Sequence, residues 1–314
     1  MLSHKNRLEL LSESDNKIKG EMIMIKLKKL AAIILSGVVV VTCLAGCGST
    51  KNNSSESESG KNGKSSLEEI KKRGTIKIGV FSDKAPFGYV DSNGENQGFD
   101  VYIAKRFAKD LLGDESKVDF VLVDAASRVS YLESNKVDII MANFTVTDER
   151  KEKVDFANPY MKVSLGVVSP DSAQIKSEDG LNGKKIIVAK GTTAETYMTE
   201  KHPDINLVKY EQYSEIFQAL KDGRGDGILS DNTEVIAWAK DNPGFTVGIS
   251  TLGSEDTIAP AVAKGNDELK DWINSELESL GKENFVHKAY EDTLESVYGK
   301  EFEENLVVEG GVVK

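Results

Sequence analysis

Asn143-Phe144-Thr145-Val146-Thr147-Asp148-Glu149-Arg150 marks the point where a strand gives way to a polar loop and then to a helix. The run before it, Val137-Asp138-Ile139-Ile140-Met141-Ala142, is rich in β-branched and apolar residues and reads as a buried strand. In open α/β sheets, ligand sites collect outside the carboxyl ends of the strands. Thr147 is a natural N-cap with Glu149 in the turn it opens, Thr145 adds a hydroxyl, and Arg150 offers a fork of fixed N–H donors. That set suits a small carboxylate, which an arginine holds bidentately. From this stretch alone, a solvated Arg150 in a weak surface ion pair stands equally well, since such pairs contribute only about 0–1 kcal/mol.

The surrounding pattern is α/β. Leu67 to Gly74 reads as a short helix, and Ile76-Lys77-Ile78-Gly79-Val80 alternates as a strand. After Gly98-Phe99-Asp100, the apolar positions Val101, Ala104, Phe107, Ala108 and Leu111 follow the helical period. A strand over 118–123, a helix over 127–134 and the strand at Val137 complete a βαβαβ unit, which implies a parallel sheet. A second such unit follows Pro170: a strand over 186–189, a helix opened by Gly191-Thr192-Thr193, a strand over 207–210, a helix carrying Ile216, Phe217 and Leu220, a short strand at Ile228-Leu229, and a helix capped by Asp231-Asn232-Thr233. Two amphipathic helices close the chain, one through Leu269, Trp272, Ile273, Leu277 and Leu280, the other through Phe285, Ala289, Tyr290 and Leu294. The extended runs Lys162 to Ser169 and Thr257 to Lys264 flank the second unit. If both return to the first, they form a two-strand hinge between lobes that close on a ligand.

The N-terminal region points to export. Lys26 to Lys29 is a basic segment, Leu30 to Cys43 is apolar, and Leu44-Ala45-Gly46-Cys47 ends the run with small residues before a cysteine. This is a secretory signal, too short and wrongly flanked for a stable membrane span. The basic segment starts near Met22 or Met24, so the expected start of the signal lies downstream of residues 1–21. Cys43 falls inside the signal, so the mature chain keeps no cysteine pair for a disulfide, and neither cysteine has metal-ligand company. Gly48 to Ser66 is a Ser, Asn, Gly, Lys and Glu tract that reads as a flexible tether. Residues 1–46 carry seven basic and four acidic residues; without them the chain has 33 basic and 47 acidic residues, a net charge of −14. An acidic surface repels phosphate backbones and argues against nucleic acid as a partner.

Several motifs stand in register: Gly98-Phe99-Asp100-Val101, Thr145 to Arg150, Val154-Asp155-Phe156-Ala157-Asn158-Pro159-Tyr160, Gly191-Thr192-Thr193, and Gly225-Asp226 with Asp231. Together they resemble the polar amino-acid receptors of bacterial ABC importers, the type II solute-binding proteins of family 3, over about Leu67 to Gly311. Segments such as Gly98 to Asp114, Pro159 to Val163 and His287-Lys288-Ala289-Tyr290 are similar to the branch of cysteine-binding surface lipoproteins. Tyr102 departs from the wider family pattern, which has an acidic residue there. The resemblance implies a two-lobed periplasmic-binding-protein-like II fold with a two-strand hinge and a ligand cleft. Lobe 1 would be 67–163 with 258–314, and lobe 2 would be 164–257. The Leu-Ala-Gly-Cys tetrad resembles a lipobox. It implies that 1–46 is cleaved off and that Cys47 carries lipid, palmitate included, at the head of the 47–66 tether. The alternative set against it is an ordinary signal with a chance cysteine.

Carried over residue by residue, the resemblance implies a ligand carboxylate held by Arg150, the Thr145 hydroxyl and backbone N–H groups near Asn143. Thr193 would close from the other lobe at a helix N-terminus. Asp231 would accept the α-ammonium, against a role as helix cap alone. Arg128 occupies the position of a cleft arginine, against a solvated helix residue. Phe81 lines the pocket where receptors for aspartate or glutamate place a lysine, which favours a small, weakly polar ligand such as L-cysteine. Lys84 either reaches a ligand carboxylate or is solvated, so an acidic or amide amino acid stays open.

The implied function is an extracytoplasmic, membrane-anchored monomeric receptor that delivers one amino acid to an ABC permease, with no cofactor, no metal and no covalent step. The competing classes are an enzyme on the same fold and a sensory or adhesive surface protein. An enzyme needs an acid or base in the cleft. His4 lies in the leader, His202 in a loop before Pro203 and His287 in the tail, and the chain has no Gly-x-Ser-x-Gly elbow, phosphate loop or mature thiol.

Overall fold

A computed structural model describes Ser66–Val313. The expected signal, Cys47 and all of the tether before Ser66 lie outside the described residues. The strands are β1 (Ile76–Val80), β2 (Asp83–Lys84), β3 (Gly88–Val90), β4 (Asn96–Gln97), β5 (Val118–Leu122), β6 (Ile139–Ile140), β7 (Val154–Phe156) and β8 (Met161–Pro170). They continue with β9 (Lys185–Ala189), β10 (Asn206–Tyr210), β11 (Gly227–Asp231), β12 (Phe245–Ile258) and β13 (Ala261–Ala263). The helices used below are α1 (Leu67–Arg73), α2 (Phe99–Leu112), α3 (Arg128–Glu133), α4 (Asp148–Lys153), α5 (Thr193–Lys201), α6 (Tyr213–Lys221), α7 (Asn232–Asp241), α8 (Asp267–Gly281) and α9 (Phe285–Thr293).

Local chemistry sets the element ends. Ser66 and Glu69 cap α1 reciprocally, and Gly74 ends it in the left-handed conformation. Thr147 accepts from the Arg150 backbone N–H at the start of α4, so Arg150 is held one turn into a helix. Gly98 has φ +114, and a Cβ there would lie 2.3 Å from the Phe87 carbonyl oxygen. Only glycine lets α2 start against that backbone.

Each lobe holds a five-stranded mixed sheet. In the first, ordered β5-β1-β6-β13-β7, β1 runs parallel to β5 and β6, whereas β13 pairs antiparallel with β6 and β7. In the second, ordered β10-β9-β11-β8-β12, β9 runs parallel to β10 and β11, whereas β8 pairs antiparallel with β11 and β12. The strands of the two βαβ units thus run parallel, as their alternation with helices implies, and β7, β8, β12 and β13 add antiparallel pairs beside them. Strands reached through helical crossovers run parallel, and those without one at the junction of the lobes run antiparallel.

β8 and β12 pair from Pro170 and Phe245 down to Met161 and Ile258, with register shifts at Val247, Ile249 and Leu252. At the far end Val146 donates to the Thr257 carbonyl and Ala259 to that of Phe144, so the pair is stitched to the first lobe. The run Lys162 to Ser169 lies inside β8. The run Thr257 to Lys264 is divided between β12 and β13 at Ala259-Pro260.

The core has three parts. One packs α2, α8 and α9 on the first sheet through Phe107, Ile273, Leu277 and Tyr290. One packs α5 on the second sheet through Ile186, Val188, Met198 and Leu229. The third is continuous across both lobes, joining Phe81, Val123 and Phe144 to Ile187, Tyr213 and Ile228. The lobes are therefore closed on each other over apolar surface.

Candidate functional site

The base of the site is a carboxylate in the core. Asp100, fully buried on α2, accepts from the Asn143 backbone N–H at 2.8 Å and from the Tyr160 hydroxyl at 2.7 Å. Asn143 sits at φ 44°, a left-handed conformation that non-glycine residues rarely adopt and asparagine tolerates better than most. Asp100 thus fixes the turn from which Phe144, Thr145 and the Arg150 helix depart. Burial pushes the Asp100 carboxyl up to about 7, against the opposing effect of its two hydrogen bonds.

Above it lies a cross-lobe ionic cluster. Lys84 Nζ, from β2, is 2.6 Å from Asp231 Oδ2, 3.1 Å from Asn143 Oδ1 and 3.2 Å from the Tyr213 hydroxyl, and 3.6 Å from Glu234 Oε2. It also lies 4.4 Å from the Tyr213 ring centroid. Lys84 is 1% exposed, so the solvated state expected for it is corrected. A buried ammonium persists because it is paired and fully hydrogen-bonded. Burial opposes its charge, but Asp231 and Glu234 more than offset this and hold it above the usual lysine range. Asp231 sits at the start of α7 without a side-chain capping bond, so capping does not explain it.

Glu234 is buried on α7, accepts from the Ser230 hydroxyl at 2.6 Å, and has its other oxygen, Oε1, without a hydrogen-bond partner. Burial pushes its carboxyl up to about 7 from 4.5, with Lys84 and Ser230 acting in the opposite sense. A carboxyl raised on folding stabilises the fold fully below about pH 4.5, and that contribution is lost as pH rises to about 7. Urea denaturation between these values should show stability falling with pH. Glu234→Gln should flatten that fall, and an identical slope in the variant would show that Glu234 does not titrate there.

The two arginines face the lobe boundary. Arg128, 2% exposed, donates to the carbonyls of Ala125, Ala142 and Asn143 in its own lobe and to Gly191 in the other at 3.1 Å. The alternative of a solvated helix residue does not hold for Arg128: its donors are committed to backbone oxygens. Arg150, half-buried, donates to the Thr145 carbonyl at 2.8 Å and to Gly191 at 3.0 Å. Their guanidinium carbons lie 4.4 and 4.7 Å from the Phe144 ring centroid. Burial first, and then the like charge of Arg128, press against the Arg150 charge. A guanidinium stays protonated in proteins, so an anion beside Arg150 relieves that pressure. Gly191, at φ +72, would place a Cβ 2.5 Å from Ala126 Cα, so glycine permits the approach of the two lobes.

The remaining candidates divide into two groups. Phe81 and Thr145 are buried; the Phe81 ring meets Tyr213 edge-on at 5.2 Å, and Thr145 reaches Arg150 through its carbonyl. Thr193 follows the Thr192 cap at the start of α5 and, with Arg150, lines a cavity of about 430 Å³ that also takes in Thr147, Tyr197, Leu252 and Asp256. That size suits a small molecule. Phe81, Lys84, Asn143 and Asp231 lie outside the cavity lining. Sequence reading missed Asp100, Gly191, Tyr213 and Glu234 as site residues. Asp100 carried a signal, a carboxylate among the apolar positions opening α2, and Glu234 follows Asp231 by three residues; Tyr213 and the carbonyl of Gly191 carried none.

Residues 76–295 match the model of the bacterial extracellular solute-binding proteins, family 3. The chain is 53% identical to the solute receptor for L-cysteine of Neisseria gonorrhoeae, covering 78% of this chain and 100% of that one, with a TM-score of 0.77. The cysteine-binding protein of Campylobacter jejuni is also 53% identical, over 77% of this chain and 98% of its own, with a TM-score of 0.76. The ABC transporter glutamine-binding protein of Bacillus subtilis is 34% identical over 266 residues, 84% of this chain and 96% of its own length.

Proposed function

This chain belongs to the bacterial extracellular solute-binding proteins of family 3, as an amino-acid receptor of an ABC importer, and we propose that its ligand is L-cysteine. The observation that carries the reading is the pair Arg150 and Asp231, a half-buried guanidinium from the first turn of α4 in one lobe and a buried carboxylate from the end of β11 in the other. A zwitterionic amino acid spans such a pair, carboxylate to Arg150 and ammonium to Asp231, through charge-assisted hydrogen bonds. The Thr145 hydroxyl, the backbone beside Asn143 and the N-terminus of α5 at Thr193 complete the carboxylate site. Phe81 and the Arg128-supported Phe144 give the side chain an apolar floor.

Lys84 is engaged by two carboxylates, which leaves no free ammonium for a second ligand carboxylate and disfavours aspartate and glutamate. Binding across the lobes favours closure by the ligand's extra contacts in the closed state, and no covalent step is required. Lobe 1 comprises 67–163 with 258–314 and lobe 2 comprises 164–257. The receptor acts outside the cytoplasm as a monomer held to the membrane by lipid on Cys47, from which it serves the permease.

A thermal-shift screen of ligand-stripped residues 48–314 against the common amino acids tests the ligand. Cysteine at about 100 times its dissociation constant should add roughly 2.7 kcal/mol of stability. A shift with glutamine, glutamate or aspartate and none with cysteine overturns the assignment. For the anchor, Cys47→Ala should move the protein from the membrane fraction to the soluble extracytoplasmic fraction on cell fractionation. Continued membrane retention would remove lipid on Cys47 from the proposal.

A further inference from the structure

Cysteine is smaller than the space beside Arg150. The cavity of about 430 Å³ that Arg150 and Thr193 line has room for a side chain well beyond a thiol, so its walls alone do not turn longer amino acids away. Its charges can. Arg150 and Lys201 are the cations of its lining, and Glu149, Glu200 and Asp256 are the carboxylates. Glu149, Glu200 and Lys201 are exposed, where water and salt screen them, whereas Asp256 is half-buried.

The second sheet sets Asp256 beside the amino-acid site. Asp231 on β11 pairs with Leu165 on β8, Leu165 pairs with Leu252 on β12, and Asp256 pairs with Val163, two residues from Leu165. Residues paired across strands share a face, as do residues two apart on one strand, so Asp231, Leu165, Leu252 and Asp256 stand on the same face of the sheet. Leu165 and Leu252 are buried and line the cavity there. One Asp256 oxygen accepts from the Ser254 hydroxyl at 3.2 Å, and the carboxylate lies within electrostatic reach of both Asp231 and Arg150. A side chain that leaves an amino acid held on Arg150 and Asp231 and crosses Leu165 therefore meets Asp256.

We propose that Asp256 is a specificity-determining residue: its carboxylate repels amino acids with an anionic side chain and draws those whose side chain ends in a cation. The inference rests on the reading of Arg150 and Asp231 as the amino-acid site. With the α-carboxylate on Arg150, a second ligand carboxylate in the cavity finds Asp256, and the one other cation of the lining is the exposed Lys201. Discrimination by a misplaced like charge needs no steric fit, which a cavity of this size does not supply.

Two cysteine derivatives of similar length and opposite charge, S-(2-aminoethyl)-L-cysteine and S-carboxymethyl-L-cysteine, test it by calorimetric titration. Wild type should bind the aminoethyl compound about tenfold or more tightly than the carboxymethyl compound, since attraction and repulsion both enter the ratio. In Asp256→Asn the two Kd values should come within about threefold of each other, while Asp256→Glu, which keeps the charge, should preserve their order. Both derivatives share the cysteine end, so any effect of a substitution on that end cancels in the ratio. Equal binding of the two by wild type overturns the inference, as does a ratio unchanged in Asp256→Asn, or a wild type that binds cysteine and neither derivative. The underlying reading fails separately: a wild type that binds neither cysteine nor either derivative removes the amino-acid site itself.

Discussion

Replacing Arg150 by alanine should raise the Kd for cysteine about 10²–10⁴-fold in calorimetric titration. Two guanidinium donors are spent on the carbonyls of Thr145 and Gly191, and the others remain for an anion. Each hydrogen bond to a charged group contributes about 1.5–3 kcal/mol, so a bidentate carboxylate loses about 3–6 kcal/mol with the arginine, at about 1.4 kcal/mol per tenfold. Arg150→Lys keeps the charge and loses the fork, so its affinity should fall between the two. The fold should survive, because the Arg150 side chain is half-buried at the surface of a short helix. An alanine variant with wild-type affinity would return Arg150 to the weak surface ion pair its sequence position also allows.

Asp100→Ala should cost about 2–6 kcal/mol of folding stability in urea titration. The carboxylate serves two buried donors, the Asn143 backbone N–H and the Tyr160 hydroxyl, and neither reaches water when it is removed. Each buried donor left unsatisfied costs about 1–3 kcal/mol. The loss also releases the left-handed Asn143 and with it the turn that aims Thr145 and Arg150, so ligand affinity should fall in the same variant. A stability change below about 1 kcal/mol would show that another group satisfies both donors.

Much of this architecture is written in local pattern. The strand before Asn143, the Thr147 cap and the tail helices follow from period and capping, because each depends on residues within a few positions. The two-lobed fold was legible through motifs in register. What local pattern lacks is long-range partnership. Lys84 reads as a loop lysine because Asp231, Tyr213 and Glu234, which make its burial tolerable, lie more than 120 residues away. Arg128 reads as a helix arginine for the same reason, its acceptor at Gly191 coming from the other lobe. The meander β2-β3-β4 has strands of two and three residues, too short for any alternation to show. The antiparallel strands of each sheet are set by how the lobes join, which the alternation of helices and strands does not encode.

Titration of ligand-stripped wild-type protein, under reducing conditions, with L-cysteine, its methyl ester and its N-acetyl derivative addresses both ends of the ligand at once. Recognition of carboxylate by Arg150 and of ammonium by Asp231 requires one site per chain for cysteine and at least hundredfold weaker binding for either derivative. Equal binding of the methyl ester or the N-acetyl compound, or no heat with cysteine itself, would contradict it.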